Sequence, residues 1–185
     1  MDARKILLKY YDENSPLFER LWIHSRLVME LSLQLADNSG IDVDRELVTK
    51  AALLHDIGIF QCHAPGIYCN GHRPYICHGI KGAEILRNEN EEMAARVAER
   101  HTGAGLTIGN IIDQDLPLPH RDMLPQSIEE KLICYSDKFF SKSGNPTEKK
   151  SLESVIAQMR RFGDDSFGRF MEMHNIFGSG NHKKI

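Results

Sequence analysis

The sequence predicts an all-helical fold, on three observations. Apolar residues recur at spacings of three, four and seven in segment after segment, which is the helical period. Serine, aspartate and glycine stand where helix caps are expected, and the alternation of apolar and polar residues that marks strands is absent. The length of 185 residues and the hydrophobic content of 41% suit a single globular domain with its own core.

The first long helix is predicted between residues 15 and 40. Ser15 is a suitable N-cap, Pro16 suits the first helical position, and Gly40 suits the end. The apolar stripe of this segment comprises Leu17, Leu21, Val28, Leu31 and Leu35. One position of the stripe is polar, because it is occupied by His24.

The second helix is predicted after Asp44, which can cap it, and before Gly58, which breaks it. Its inward face consists of Val48, Ala51, Ala52 and then His55. Asp56 follows about 100° further round the helix, near the edge of the same face. Two ionisable side chains are therefore predicted where this helix meets the interior.

Three more segments are predicted to place a polar residue on an apolar stripe or at the start of a helix. In one, the stripe of Met93 and Val97 leads to His101, with Gly103 soon after. Another opens with the capping box Ser127–Glu130 and is interrupted by Asp137 within the stripe from 133 to 140. A short helix is predicted to begin at His78 itself.

These coincidences together predict a buried cation site. A single histidine on an apolar face is usually a neutral core residue bonded to a carbonyl, and a buried carboxylate is costly unless a cation meets it. One cation site explains all the polar interruptions at once. Imidazole and carboxylate ligands without thiolate suit Fe, Mn, Zn, Ni or Co rather than Mg or Ca. Four histidines and two aspartates exceed the needs of one ion, so two adjacent ions bridged by a carboxylate are expected.

The order of these residues resembles a known family. His24, the pair His55-Asp56, and Asp137 match the H…HD…D signature of the HD superfamily of metal-dependent phosphohydrolases, and HDIG at 55–58 is similar to the hallmark of its HDIG branch. His78 and His101 resemble the two additional histidines of members with a dinuclear centre. The resemblance covers residues 24–137.

The resemblance implies a fold, a ligand set and an activity. The fold would be an HD-type helical bundle over residues 1–145, with a helical extension over 146–185 that packs on the core after the polar segment SKSGNPTEK. His24, His55 and Asp137 would hold one metal, His78 and His101 a second, and Asp56 would bridge them. The metals would be divalent transition ions, Fe or Mn first and Zn, Ni or Co as alternatives. A metal-bound hydroxide would then hydrolyse a phosphoester or phosphoanhydride, since a dication lowers the pKa of bound water to about 7.

The sequence departs from the family where relatives carry a phosphate-binding lysine after HDIG, because Ile59 and Phe60 stand there. We expect Lys81, one turn beyond His78, to replace that lysine as a catalytic and substrate-binding residue beside Asp56. The other candidate substrate contacts are Arg73, Arg121 and Lys138.

The loop from 60 to 77 contains three cysteines and two histidines, together with two prolines and two glycines. We expect a lid whose Tyr68, Tyr75, His63, His72 and Arg73 contact substrate, because loops of this length are often functional. A zinc knuckle is the alternative for this loop, although its spacings contain no tight Cys-x2-Cys pair. Its candidate ligands are Cys62, His63, Cys69, His72 and Cys77.

The predicted partner is a small phosphorylated substrate, with a mononucleotide, a dinucleoside polyphosphate or a cyclic nucleotide as examples. The formal net charge of −3 argues against a nucleic acid polymer. Charges interrupt every apolar stretch of residues 1–16, which argues against a membrane segment, and four cysteines are expected as reduced thiols in a cytoplasmic protein. The sequence indicates no oligomeric state. A mixed-valent di-iron oxygenase and a non-catalytic nucleotide-binding regulatory domain are the alternative functions.

Overall fold

The computed structural model describes residues 2–178, so the last seven positions of the predicted extension lie outside the described residues. Within the described range, the chain forms nine α-helices and one pair of very short strands, which confirms the predicted all-helical fold. The helices are α1 (Ala3–Leu7), α2 (Pro16–Ser39), α3 (Arg45–Leu54), α4 (His78–Asn88), α5 (Glu92–Arg100), α6 (Ile108–Asp113), α7 (Ile128–Asp137), α8 (Leu152–Arg161) and α9 (Asp164–Phe177).

The helices begin at the predicted caps. The side chains of Ser15, Asp44 and Ser127 accept hydrogen bonds from the backbone amides of Phe18, Leu47 and Glu130. Gly40 ends α2 in the left-handed conformation, with φ of 67°, which glycine adopts without the steric cost of a Cβ atom. Local sequence therefore fixes where these helices start and where α2 stops.

A bundle of α2, α3, α5 and α7 encloses the core, and α4 packs along α5. Leu21, Val28, Val48, Val97 and Ile133 are among the buried side chains of this core. The four helices supply most of the predicted polar interruptions from their inward faces or their ends. The packing that buries the apolar stripes thus carries those polar residues into the interior.

Three local predictions were wrong. Met93 is 44% exposed, because the buried face of α5 is formed by the alanines around Val97. Helix α3 ends at Leu54 rather than at Gly58, since the chain turns tightly from His55 onward. The reciprocal half of the Ser127 capping box is missing, because the Glu130 carboxylate instead accepts hydrogen bonds from Arg96 and Arg100.

Gly58 lies where the chain leaves α3 and meets α4 at very short range. A Cβ atom on Gly58 would lie 2.3 Å from the carbonyl oxygen of His78 and 2.4 Å from the amide nitrogen of Gly82. Both obstacles are backbone atoms, which cannot move aside as a side chain can. The glycine of the HDIG stretch is therefore required for α4 to reach the end of α3.

The loop between 60 and 77 is compact. It contains 3-10 turns at Ile59–Gln61, Pro65–Ile67 and Tyr75–Cys77, and the antiparallel strands β1 (His63–Ala64) and β2 (Cys69–Asn70). The thiols of Cys62, Cys69 and Cys77 are free and buried. Cys62 and Cys77 pack with Ile111, Leu118 and Met123 in a small apolar cluster beside the main core.

Helices α8 and α9 pack against the bundle. The ring of Phe170 stacks on that of Tyr135 of α7, with 5.2 Å between ring centroids and 24° between planes. Arg169 of α9 donates hydrogen bonds of 3.0 Å to the carbonyl oxygens of Ala104 and Gly105. The boundary at residue 146 between core and extension is our proposal.

No helix among residues 2–178 has both the length and the apolar character that crossing a membrane requires.

Candidate metal centre

Six ionisable side chains from five different elements converge in the interior. His24 lies within α2, His55 and Asp56 follow the end of α3, and His78 begins α4. His101 follows the end of α5, and Asp137 is the last residue of α7. The carboxyl ends of three helices thus point at one region, where their partial negative charge favours a cation.

The side chains form two groups that share one carboxylate. Within each group, the potential ligand atoms all lie within 4.8 Å of one another. The first group is His24, His55, Asp56 and Asp137. The second group is Asp56, His78 and His101. The structure therefore brings together all six residues that the sequence singled out as candidate ligands.

Distances in the first group fit coordination of one cation. Nε2 of His24 lies 3.0 Å from Oδ1 of Asp137, and Nε2 of His55 lies 3.0 Å from Oδ2 of Asp56. The two Nε2 atoms are 3.3 Å apart. Ligand atoms that each lie about 2.1 Å from one ion, at angles of about 90–110°, are separated by about 3.0–3.4 Å. The residues present therefore fit a transition-metal ion.

Asp56 faces both groups, with a different oxygen toward each. Its Oδ2 lies toward His24 and His55, whereas its Oδ1 lies 3.4 Å from Nε2 of His78 and 3.5 Å from Nε2 of His101. Both oxygens are buried, and apart from the ammonium of Lys142 near Oδ2 neither has a hydrogen-bond partner of acceptable geometry. A fully buried carboxylate in that state is costly unless cations meet it.

Three of the imidazoles are oriented by the backbone. Nδ1 of His55, His78 and His101 lies 2.7, 2.7 and 2.8 Å from the carbonyl oxygen three residues earlier in the chain. A carbonyl can only accept, so each Nδ1 is the protonated nitrogen and donates to it. Nε2 is then the ring nitrogen of each that faces the shared carboxylate, which is the arrangement seen for metal-binding histidines.

The electrostatics of the site keep both carboxylates ionised and His78 neutral, whereas His55 holds a proton. Burial opposes ionisation of Asp56 and Asp137, but His55 and Lys142 beside Asp56, and Lys138 beside Asp137, hold the pKa of each carboxyl well below its usual value. Burial lowers the pKa of His78 to about 3, so its imidazole is neutral at physiological pH. Burial also favours neutral His55, yet Asp56 and Asp137 outweigh it and raise the pKa of His55 to about 9. A cation binding there displaces a proton.

A cavity of about 610 Å³ opens over His78, His101 and Asp137. Part of its wall is apolar, with Ile76, Leu106, Leu116 and Phe162 among the lining residues. The segment that follows His101, which Arg169 anchors, supplies two of these side chains, Leu106 and Leu116. The centre therefore lies at the base of a recess large enough for a small organic molecule.

The cations expected to bind substrate are placed differently from one another. Lys138 lines the cavity, where its Nζ donates to Oδ2 of Asp137 at 2.6 Å and to the carbonyl oxygen of His101 at 2.9 Å. Lys81 lies outside the cavity lining, because its Nζ pairs with the Glu84 carboxylate one turn further along α4. Exposed Arg73 is also outside the lining, and Arg121 is outside it because it pairs with Glu99.

Of the loop residues expected to form a lid, only one lines the cavity. Tyr75 lines the cavity and stacks on His78 with 4.7 Å between ring centroids. Tyr68, His63 and His72 are exposed and do not line it. Neither ligand group in the described chain includes a cysteine, and the Cys62 and Cys77 thiols instead lie beside the carbonyl oxygens of Gly58 and Pro117. The expectation of a zinc knuckle therefore finds no site in residues 2–178.

Two cavity lysines were missed by the sequence reasoning. Lys142 places its Nζ 2.6 Å from Oδ2 of Asp56, and Lys150 also lines the cavity. Both belong to the polar segment after α7, whose Gly and Pro content marked it only as a boundary. An irregular segment has no periodicity from which the direction of a side chain can be read. The one available signal was the number of lysines between 138 and 150.

Comparisons with known proteins agree with this arrangement. A family model described as HD domain matches residues 21–141, a range that contains all six candidate ligands. An uncharacterized protein of Methanocaldococcus jannaschii is 37% identical over 160 residues, which cover 86% of this chain and 83% of that protein.

Two relatives are considerably longer than this chain, and both are named tRNA (cytidine(56)-2'-O)-methyltransferase. The protein from Picrophilus torridus is 39% identical over 64% of this chain, and the one from Thermoplasma volcanium is 29% identical over 84%. The matched regions make up only 30% and 41% of those relatives, so the name describes proteins of which this chain spans less than half.

Solved structures share the fold. The HD domain of the L. monocytogenes phosphodiesterase PgpH superposes with a TM-score of 0.54 at 20% identity, over 92% of this chain and 86% of that one. The same domain in complex with cyclic-di-AMP gives a TM-score of 0.52 at 17% identity, over 99% and 98% of the two chains.

Proposed function

The chain belongs to the HD-domain family, and from that membership and the geometry of its centre we propose that it is a metal-dependent phosphohydrolase. The observation that carries the proposal is the position of Asp56, whose two oxygens face two separate histidine groups at the base of a cavity. A carboxylate shared in this way suits a pair of divalent transition metals, with Fe or Mn first and Zn, Ni or Co as alternatives.

We assign His24, His55 and Asp137 to one metal, His78 and His101 to the other, and Asp56 to both. When bound, a pair of such ions lowers the pKa of a coordinated water and neutralises charge on phosphoryl oxygens. The protein holds the imidazoles of His55, His78 and His101 by their Nδ1–H groups and buries the centre below the cavity. Burial strengthens the electrostatic interaction between the site and an anionic group.

The cavity wall supports a phosphorylated substrate with an apolar part. Lys138, Lys142 and Lys150 line the cavity and attract anions, whereas Ile76 and Phe162 can pack against a base. We therefore propose a nucleotide as the substrate class. The crystallised complex of the PgpH domain contains cyclic-di-AMP, so a cyclic dinucleotide belongs among the compounds tested. We also propose a cytoplasmic location, for which the free and buried state of all four cysteines is suitable.

A metabolite panel tests the hydrolase proposal. Purified protein, loaded separately with Mn and Fe(II), is incubated with mononucleotides, nucleoside polyphosphates, cyclic nucleotides and dinucleotides. Released phosphate, nucleoside and newly formed mono- or dinucleotide are quantified by chromatography. We expect hydrolysis that requires metal, proceeds under anaerobic conditions, and is abolished in Asp56→Ala together with metal content. Asp113→Ala, at an exposed position of α6, is the matched control and should retain both.

The same panel, extended by a phosphonate and a polyol, separates the alternatives. Oxygen-dependent consumption of a phosphonate or polyol, with no anaerobic hydrolysis, would replace the hydrolase by the di-iron oxygenase. Tight nucleotide binding without turnover under either atmosphere would replace it by the regulatory domain. Full activity of Asp56→Ala would refute the role that we assign to the shared carboxylate.

A further inference from the structure

The cavity has more positively charged side chains than its carboxylates can neutralise. Three lysines line it, whereas Asp137 is the single carboxylate among the described lining residues. Asp56 lies beneath the lining and adds one more negative charge. Three ammonium groups against two carboxylates leave the recess positive even before a metal is added, which favours a ligand with more than one negative charge.

Two of the three lysines are engaged with the centre itself. The Nζ of Lys138 contacts Asp137 and the end of α5, and the Nζ of Lys142 contacts Asp56. Lys150 differs from both, because its Nζ donates to the neutral amide oxygen of Gln158, at 3.2 Å. Within residues 2–178 it forms no ion pair with a carboxylate. An ammonium has three donors, so Lys150 retains donors for an external anion.

The backbone holds Lys150 beside the centre and not at its base. Its amide nitrogen donates to the carbonyl oxygen of Phe139 at 2.8 Å, so the segment after α7 folds back on the end of that helix. Its side chain is partly buried, and its pKa is lowered first by burial and then by Lys138 and Lys142, while Asp137 raises it. Lys150 therefore belongs to the same electrostatic cluster as the centre, one step nearer the solvent than Lys142.

Gln158 connects this position to the apolar part of the wall. It lies on α8, one turn before Phe162, and both side chains line the cavity. Phe162 is 50% exposed. The wall thus combines the metal ligands and Lys142 with the pair Lys150–Gln158 and with an exposed aromatic ring.

We propose that Lys150 and Gln158 form a second anion subsite, which binds the phosphate adjacent to the one that is hydrolysed. The substrate class is then a nucleoside di- or triphosphate, with its terminal phosphate at the centre and its base toward Phe162. This proposal rests on the proposed hydrolase function in one respect only, namely that the phosphate at the centre is the one that reacts. One water is consumed: its oxygen forms a bond to the terminal phosphorus, the anhydride O–P bond breaks, and one proton of the water is released to the solvent. The electron pair of the broken bond stays on the adjacent phosphate, whose negative charge faces Lys150.

The test compares one phosphate with two. Binding of inorganic phosphate and of imidodiphosphate, which has two phosphates joined by a nitrogen atom, is measured by calorimetry on Mn-loaded protein. Lys150→Met is expected to weaken imidodiphosphate binding about 10- to 100-fold, as the loss of one charge-assisted hydrogen bond predicts, while phosphate binding changes less than twofold. In kinetics, kcat/KM for ADP should fall by a similar factor and that for AMP should not.

Lys149→Met is the matched control. It removes the same charge from the neighbouring position, where the ammonium lies over the Phe139 ring and outside the cavity lining. We expect it to bind both probes as the wild type does. Gln158→Leu should weaken imidodiphosphate binding severalfold in the same direction as Lys150→Met.

The outcomes separate the subsite from the hydrolase proposal. Equal effects of Lys150→Met on phosphate and imidodiphosphate, no effect on either, or an equal effect of Lys149→Met would each overturn the subsite. Failure of the wild type to bind imidodiphosphate would overturn it as well. Lys150-dependent binding of imidodiphosphate without any hydrolysis would retain the subsite and reject the hydrolase. Hydrolysis whose rate is the same in Lys150→Met as in the wild type would retain the hydrolase and reject the subsite.

Discussion

The ammonium of Lys142 lies 2.6 Å from Oδ2 of Asp56, the oxygen that faces His24 and His55. Lys138 binds the other aspartate differently, through Oδ2 of Asp137, while Oδ1 of Asp137 faces His24. One lysine therefore contacts an oxygen that is directed at the centre, and the other contacts an oxygen that is directed away from it. The two lysines should have opposite effects on metal binding.

Lys142→Met is expected to bind Mn at least about tenfold more tightly than the wild type. The ammonium and the metal are like charges that compete for the same carboxylate oxygen in a buried site, where charge interactions are poorly screened. Direct titration with Mn, without phosphate present, measures the change. Lys149→Met is the control, and weaker binding by Lys142→Met would show that this lysine supports the metal instead of opposing it.

Lys138→Met is expected to bind Mn about 10- to 100-fold more weakly, as is typical when a group that orients a ligand is lost. Without Lys138, the Asp137 carboxylate loses its fixed orientation and the end of α5 loses a donor to the His101 carbonyl oxygen. The same Mn titration measures this. Lys131→Met, within the helix that Lys138 directly follows but outside the cavity lining, should leave the affinity unchanged. Unchanged affinity in Lys138→Met would contradict the orienting role.

Metal should stabilise the fold. A ligand that binds only the native state at about 100 times its dissociation constant adds about 2.7 kcal/mol, which for a chain of this size raises Tm by about 5–10 °C. Thermal unfolding with Mn and after chelation measures the difference. Asp56→Ala should show little rise in Tm on addition of Mn, since the carboxylate common to both groups is absent. An equal rise in wild type and variant would point to metal bound elsewhere.

Gly58→Ala should destabilise the protein by about 3 kcal/mol or more, because the added methyl group meets backbone atoms of α4 that cannot rotate away. Gly168→Ala is the matched control, since it lies inside α9 with open space around its Cβ position. That substitution should stabilise by about 0.5–1 kcal/mol, through helix propensity. Urea unfolding of both variants measures the two free energies. Similar stability of Gly58→Ala and wild type would mean that α4 does not pack as closely as described.

Helix caps and the polar interruptions of apolar stripes were predictable because both are local. Ser15, Asp44 and Ser127 satisfy backbone amides within three residues, and the position of His24 in its stripe follows from the helical period. Met93 shows the limit of the same reasoning. Its spacing fits the stripe of α5, yet α4 packs on the alanines of α5 and leaves Met93 exposed.

The cations around the centre could not be predicted in this way. Lys81 has the right spacing from His78, but Glu84 lies one turn further on and forms an ion pair with the Lys81 ammonium. The direction of Lys142 and Lys150 depends on how an irregular segment folds back over the end of α7, a contact that no local spacing encodes.

The sequence by itself determined the helical fold and the family, together with the six side chains that converge in the core, because periodic apolar stripes carry most of the residues on or beside them into the interior. Only the tertiary structure decided which oxygen of Asp56 faces which histidines, and which lysines reach the cavity. Those relations join parts of the chain that are distant in sequence, and packing between helices sets them.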